Sequence, residues 1–194
     1  MSCLPLRFGV LLFVALMLTR VGMTQQFGLD LNGQPVGELG GPGIRLVVLI
    51  FAASDCPISN RYVPEIARLN AEFASRGVRV WWVFPNASDT AQIVAKHNRD
   101  FAIEEDTLLD PQQNLVRFAH VGITPEAAVF AVRNGSLGEL YRGRIDDRYL
   151  AIGQERPHPS HHDLEAAIDA ALAGRAIPHP GGPPVGCSVV FLTR

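Results

Sequence analysis

Apolar residues along this chain fall into unbroken runs and into runs that recur every third or fourth position. Ile44 to Ala53 (IRLVVLIFAA) and Val78 to Phe84 (VRVWWVF) are continuous and rich in β-branched or aromatic residues. Such runs predict strands buried on both faces, in a sheet covered by helices. Between them, Ile58, Tyr62, Ile66, Leu69 and Phe73 recur at helical steps, predicting one helix from about Pro57 to Arg76 that ends at Gly77. A second helix is expected from a Ser88 or Asp89 cap to about Phe101, with Ile93, Val94 and His97 on related faces. A short strand at Thr107–Leu109 and a short helix at Gln112–Ala119 follow. Asn32-Gly33 and Asn134-Gly135 mark hairpins, the second joining Ala127–Arg133 to Ser136–Arg142. Asp163 reads as the cap of a last amphipathic helix closed by Gly174. Strand–helix alternation first and a hairpin last imply an α/β fold with a central mixed sheet flanked by helices.

The two ends of the chain stand outside this pattern. Arg7 precedes an apolar run from Phe8 to Leu18, so residues 1–24 read as an export signal, cleaved or retained as a membrane anchor. The run falls short of the ~18 apolar residues of a spanning helix. Cleavage would remove Cys3 and leave Cys56 and Cys187 in an oxidising compartment, periplasmic or extracellular. Residues 26–174 form the predicted domain, and residues 175–194 a Pro/Gly-rich arm carrying Cys187, outside the core. With 194 residues, 47% of them hydrophobic, and a formal charge of -2, the chain suits one domain and gives no basic stripe for nucleic acid.

Cys56 is the position with chemistry in it. It stands where a buried strand ends and a helix begins, so its sulfur faces unpaired N–H groups and the positive end of a helix dipole. Pro57 suits the first helical position, where no N–H is needed. Asp55 acts against the thiolate, because a neighbouring carboxylate raises a thiol's pKa.

The segment FAASDCPISNRYVPEI, Phe51 to Ile66, resembles the active-site segment of the thioredoxin-like redoxins of the AhpC/TSA and TlpA-like type. Cys56 matches the attacking cysteine of their Cys-x-x-Cys motif, and Pro64-Glu65 matches a Pro-Glu pair further on. Gly122-Ile123-Thr124-Pro125 is similar to the segment that carries a cis-proline beside that cysteine. The resemblance implies a thioredoxin-like fold, with Pro125 shaping the contact at Cys56 and its neighbouring backbone pairing with substrate. The second motif position, however, holds Ser59. Serine cannot resolve a mixed disulfide, but its hydroxyl can donate to a Cys56 thiolate.

Cys187 offers another resolving thiol, with a structural bridge, or a thiol pinned by the apolar tail Val189 to Leu192, as the simpler alternatives. It lies thirteen residues beyond Gly174, and at ~3.3 Å per extended residue such an arm spans ~40 Å, against an expected radius of gyration of ~14 Å. A resolving thiol on a C-terminal arm recurs among peroxiredoxins, which this segment also resembles in its Cys-Pro pair. Their usual hydroxyl three positions before the cysteine is replaced here by Ala53, with Ser54 one step off. Arg142 and Arg144 offer positive charge, with solvated strand edges as the simpler place for them. His158, His161, His162 and His179 prompt a metal test, but a copper-chaperone motif needs a second cysteine where Asn60 stands. No metal or cofactor is assigned, and Gly143 to Asp147 reads as a turn with surface charges.

These residues predict an exported thiol–disulfide oxidoreductase with Cys56 as attacking thiol, Ser59 and Pro125 assisting, and Cys187 resolving. Its partners would be a disulfide-bearing protein and an external thiol reductant. A thiol peroxidase acting on a peroxide substrate is the other enzyme that fits. A non-catalytic binding module on the same scaffold is the reading from a different class.

Overall fold

The computed structural model describes residues 26–177 and 182–192. The export or anchor segment, Cys3 and His179 lie outside the described residues. Among the described residues, no helix is long and apolar enough to cross a membrane.

The first apolar run forms β3 (Leu46–Phe51) and the second β4 (Val78–Phe84), paired in parallel. Around them a seven-stranded sheet is built in the order β2 (Pro35–Val36), β1 (Gly28–Leu29), β5 (Asp106–Leu109), β4, β3, β7 (Glu126–Arg133), β8 (Ser136–Gly143). β5 joins β4 in parallel, whereas β7 runs antiparallel to β3 and turns back through Asn134-Gly135 into β8; β9 (Tyr149–Ala151) and β10 (Gln154–Glu155) form a separate antiparallel pair. The sheet is therefore mixed and covered on both faces, as the alternation implied.

Side-chain alternation in β3 explains why its run is continuous. Leu46, Val48 and Ile50 point to one face, where they meet α2 (Val63–Phe73), α3 (Ala91–Phe101) and α5 (Asp163–Leu172) through Ile66, Leu69, Phe73, Val94, Leu164 and Ile168. Val47, Leu49 and Phe51 point to the other face, against Leu115 and Val116 of α4 (Asn114–Phe118). All six β3 residues are buried, each such side chain contributing ~1.5–3 kcal/mol relative to exposure.

Four elements differ from the sequence pattern. The expected single helix is split into α1 (Pro57–Arg61) and α2, with Tyr62 between them and a short 3-10 turn at Ala74–Arg76. Pro64 explains the break: it has no N–H for the Asn60 carbonyl, and its ring crowds that turn. The α3 cap is Thr90, whose side chain accepts from the Ile93 N–H; Asp89 is turned toward Ser54 instead. Ile93 of that helix is exposed. His162 occupies the α5 cap position without a side-chain cap bond, and Asp163 pairs with Arg144 at 2.7 Å.

The C-terminal arm is the largest difference. Its Cys187–Ser188 forms β11, antiparallel to β6 (Ile123–Thr124), and Val189 is buried in the core beside α4. Arm residues thus complete a core layer rather than stand clear of it.

Candidate active site

Cys56 is the N-cap of α1, in extended backbone conformation (φ -84°, ψ 111°), with Pro57 as the first helical residue. Its carbonyl accepts the Asn60 N–H at 3.1 Å, the first bond of the helix. The strand-to-helix turn predicted for the reactive thiol is present, and the sulfur is fully buried.

The fold brings two distant segments to that sulfur. The Thr124–Pro125 bond is cis, and the Cys56 thiol donates to the Thr124 carbonyl at 3.3 Å. From the arm, the Cys187 thiol points to Cys56 with Sγ···Sγ at 2.6 Å; both are free thiols. β11 fixes this approach because Cys187 lies directly opposite Thr124 in the β6 register. Ser59 is buried one helical turn below. Its Oγ has no hydrogen-bond partner while Cys56 is a thiol already bonded to Thr124 and Cys187. Ionisation of Cys56 would give that hydroxyl an acceptor.

The two thiols are unequal. Burial raises the pKa of Cys56, but donation from Cys187 and, to the charged form, from the Ser59 N–H and hydroxyl outweighs it and holds the thiol below its ordinary range. Burial, the Cys56 contact and the Asp55 charge push Cys187 up to about 12. Of the two sulfurs, Cys56 is therefore the one whose surroundings favour the thiolate. The exposed Asp55 carboxylate, expected to oppose the reactive thiol, contributes to raising the arm cysteine.

Other polar candidates do not converge on the sulfur. Ser54 donates through both N–H and Oγ to Asp89, so its hydroxyl is engaged away from any peroxide bound at Cys56. Arg144 is partly buried and paired with Asp163, whereas Arg142 is exposed on the edge strand β8, as expected, where it donates to the His120 carbonyl at 3.0 Å. His162 faces Glu65 and Glu165, carboxylates that Arg68 already pairs with. Asp146 and Asp147 are buried rather than surface charges: Asp146 accepts from the Tyr62 hydroxyl at 2.5 Å, and Asp147 from the Ser160 and His161 N–H groups.

Sequence reasoning missed Asn86 and Gln113. Both are buried polar residues in loops, and both bond the arm. The Val190 N–H donates to Asn86 Oδ1 at 3.1 Å, Gln113 Nε2 donates to the Val190 carbonyl at 2.7 Å, and Gln113 Oε1 accepts the Leu192 N–H at 3.0 Å. Gln113 has a positive φ of 56°, and no hydrophobic periodicity marks it. The sequence placed it inside the short helix, which the structure begins one residue later at Asn114.

The sequence profile described as "AhpC/TSA family" matches residues 27–137, more than half of the chain. The chain belongs to the AhpC/TSA family. Membership makes it a thiol-dependent oxidoreductase. Among curated proteins, none matches in sequence. Solved structures share the fold. An uncharacterized conserved protein from Geobacillus kaustophilus is 22% identical with a TM-score of 0.71, covering 88% of this chain and 91% of its own. A hypothetical protein from Sinorhizobium meliloti 1021 is 20% identical with a TM-score of 0.72, covering 88% and 93%. A structure described as the thiol:disulfide interchange protein DsbE of Chlorobium tepidum is 22% identical with a TM-score of 0.55, covering 77% and 94%. These likenesses establish the thioredoxin-like fold.

Proposed function

We propose that this redoxin is an extracytoplasmic thiol–disulfide oxidoreductase in which Cys56 attacks and Cys187 resolves. The observation that carries the reading is the 2.6 Å approach of the two sulfurs, held by pairing of β11 with β6. Residues 26–174 supply the domain, and the arm supplies the second thiol that Ser59 cannot be. The leading segment, Arg7 followed by an apolar run, supports an exported location.

The chemistry balances over two exchanges. The Cys56 thiolate attacks a disulfide sulfur of a client protein; the client S–S bond breaks, a mixed disulfide forms, and one client thiolate departs. Ser59 and Cys187 stabilise the attacking charge before this step, and Pro125 shapes the contact surface. Mixed-disulfide formation removes the Cys56 charge that helped hold the Cys187 proton. Cys187 then attacks the Cys56 sulfur, passing its proton to the second departing client thiolate. The client leaves with two thiols, the protein keeps a Cys56–Cys187 disulfide, and an external thiol reductant restores it.

Peptide mass mapping of the alkylated, unreduced protein after stoichiometric oxidised client tests this. The expected product is one linked peptide pair containing Cys56 and Cys187. Two alkylated thiols after exposure to the client would overturn the reading. A peroxide that oxidises Cys56 faster than any disulfide would make it a peroxidase, for which the engaged Ser54 hydroxyl gives no support.

A further inference from the structure

The arm lies in a cleft built to hold a polypeptide backbone. Thr124, Gln113 and Asn86 line it, and all three are buried. Thr124 Oγ1 donates to the Cys187 carbonyl at 3.3 Å, and the Val189 N–H donates to the Gly122 carbonyl at 3.0 Å. Gln113 and Asn86 bond the backbone of Val190 and Leu192. Val189 is buried in the cleft and Val185 packs partly buried against the core, whereas Val190, Phe191 and Leu192 point out at 70%, 58% and 48% exposure. A cleft that bonds main chain and seats two small apolar residues is indifferent to most of the remaining sequence it holds.

Gly186 is the exception. A Cβ there would stand 2.1 Å from the Thr124 carbonyl oxygen and 3.0 Å from the Pro125 ring, both fixed parts of the β6 edge. The residue before the cysteine must therefore be glycine for a strand to seat in this register. Among the described residues β6 pairs with β11 alone, so lifting the arm would bare the edge and take from Gln113 Oε1 and Asn86 Oδ1 the arm N–H groups they accept.

We propose that this cleft receives the cysteine strand of an external polypeptide of pattern Gly-Cys-x-Val, and that residues 186–192 are its resting occupant, a built-in copy of the client. This rests on the reading that Cys56 attacks disulfides. While the arm is docked, Cys56 is buried and closed to other polypeptides. A client gains the sulfur by taking the arm's place on β6, and Cys187 returns to resolve when the client strand leaves its register.

The test uses two full-length proteins, Cys187→Ser and Gly186→Ala with Cys187→Ser. In the first the arm stays docked; in the second the added methyl drives it off Thr124. The probe is a peptide repeating residues 183–192, its cysteine joined to thionitrobenzoate. Attack by Cys56 forms the peptide mixed disulfide and releases coloured thionitrobenzoate, with no net oxidation. Release is expected at least about tenfold faster from the second protein, equivalent to 1.4 kcal/mol. In that protein, a peptide with alanine in place of the glycine should react about tenfold more slowly. Val189→Asp with Cys187→Ser lifts the arm from its other end and should reproduce the acceleration. Equal rates in docked and lifted proteins would overturn the resting-occupant role, and equal rates for the two peptides would overturn the glycine rule. If dithiobis(nitrobenzoate) leaves Cys56 unmodified even in the lifted proteins, the thiol reading itself fails rather than the cleft.

Discussion

Cys56 and Cys187 are chemically identical residues that their surroundings drive apart. Cys56 accepts from Cys187 and has Ser59 within reach, whereas Cys187 is penalised by burial and the charges of Cys56 and Asp55. The sign of the resulting pH dependence follows directly. A thiol whose pKa is lowered is ionised over a window beginning below its ordinary value of 9.0, so exchange rises with pH through that window and then levels off. Ser59→Ala removes one donor that favours the charged form, so the rise should move to higher pH. Thiolate absorbance followed across pH on the full chain checks this: an unchanged midpoint would show that the Ser59 hydroxyl takes no part. The same substitution leaves the β11–β6 pairing untouched, so the two sulfurs should still bridge on oxidation.

At the scale of elements, α4 governs how the arm is held, and its start depends on one buried carboxylate. Asp110 accepts the N–H groups of Asn114, Leu115 and Val116, and its carbonyl accepts that of Gln113. Burial nevertheless pushes its carboxyl up to about 6, against the pull of those three bonds. A carboxyl raised in the folded state stabilises most below its unfolded pKa of 3.8 and loses that contribution as pH rises through about 6. Asp110→Asn does not titrate, so its urea midpoint should fall less than that of the parent between pH 4 and 7; parallel curves would discard the assignment. Elements were legible where one interaction dominated. β3 and β4 declared themselves because both faces are buried, and the second hairpin because Asn134 and Gly135 both take positive φ. The break at Tyr62 was hidden because Pro64 fits the first turn of a new helix as well as it interrupts an old one. Within the site, Cys56 and Pro125 were visible through local chemistry and resemblance. Asn86 and Gln113 were not, because their role depends on the arm folding back across the whole domain.

Across the whole molecule the arm ties its end to the middle of the fold, joining cysteines 131 positions apart. A covalent link over so long a loop restricts the unfolded chain severely. The chain-entropy relation gives about 5 kcal/mol for closing a loop of this order, less whatever the bond costs the native state. Thermodynamic linkage then makes the effect reciprocal: what the disulfide adds to folding, the fold adds to the disulfide. The native structure already holds the two thiols together in its reduced form, through β11, the Asn86 and Gln113 bonds and the buried Val189. Oxidation therefore asks for little rearrangement, and most of the loop term should survive. Urea unfolding of the oxidised chain and of full-length Cys187→Ser should differ by roughly 3–5 kcal/mol in favour of the oxidised protein. The reducing agent should abolish the difference in the parent and leave the variant unchanged. A docked arm predicts this gap together with equal helix content in both redox states. Equal stabilities, or an oxidised form less stable than the variant, would mean that the bridge distorts the arm's native position, and the cleft would then be closed by a different contact.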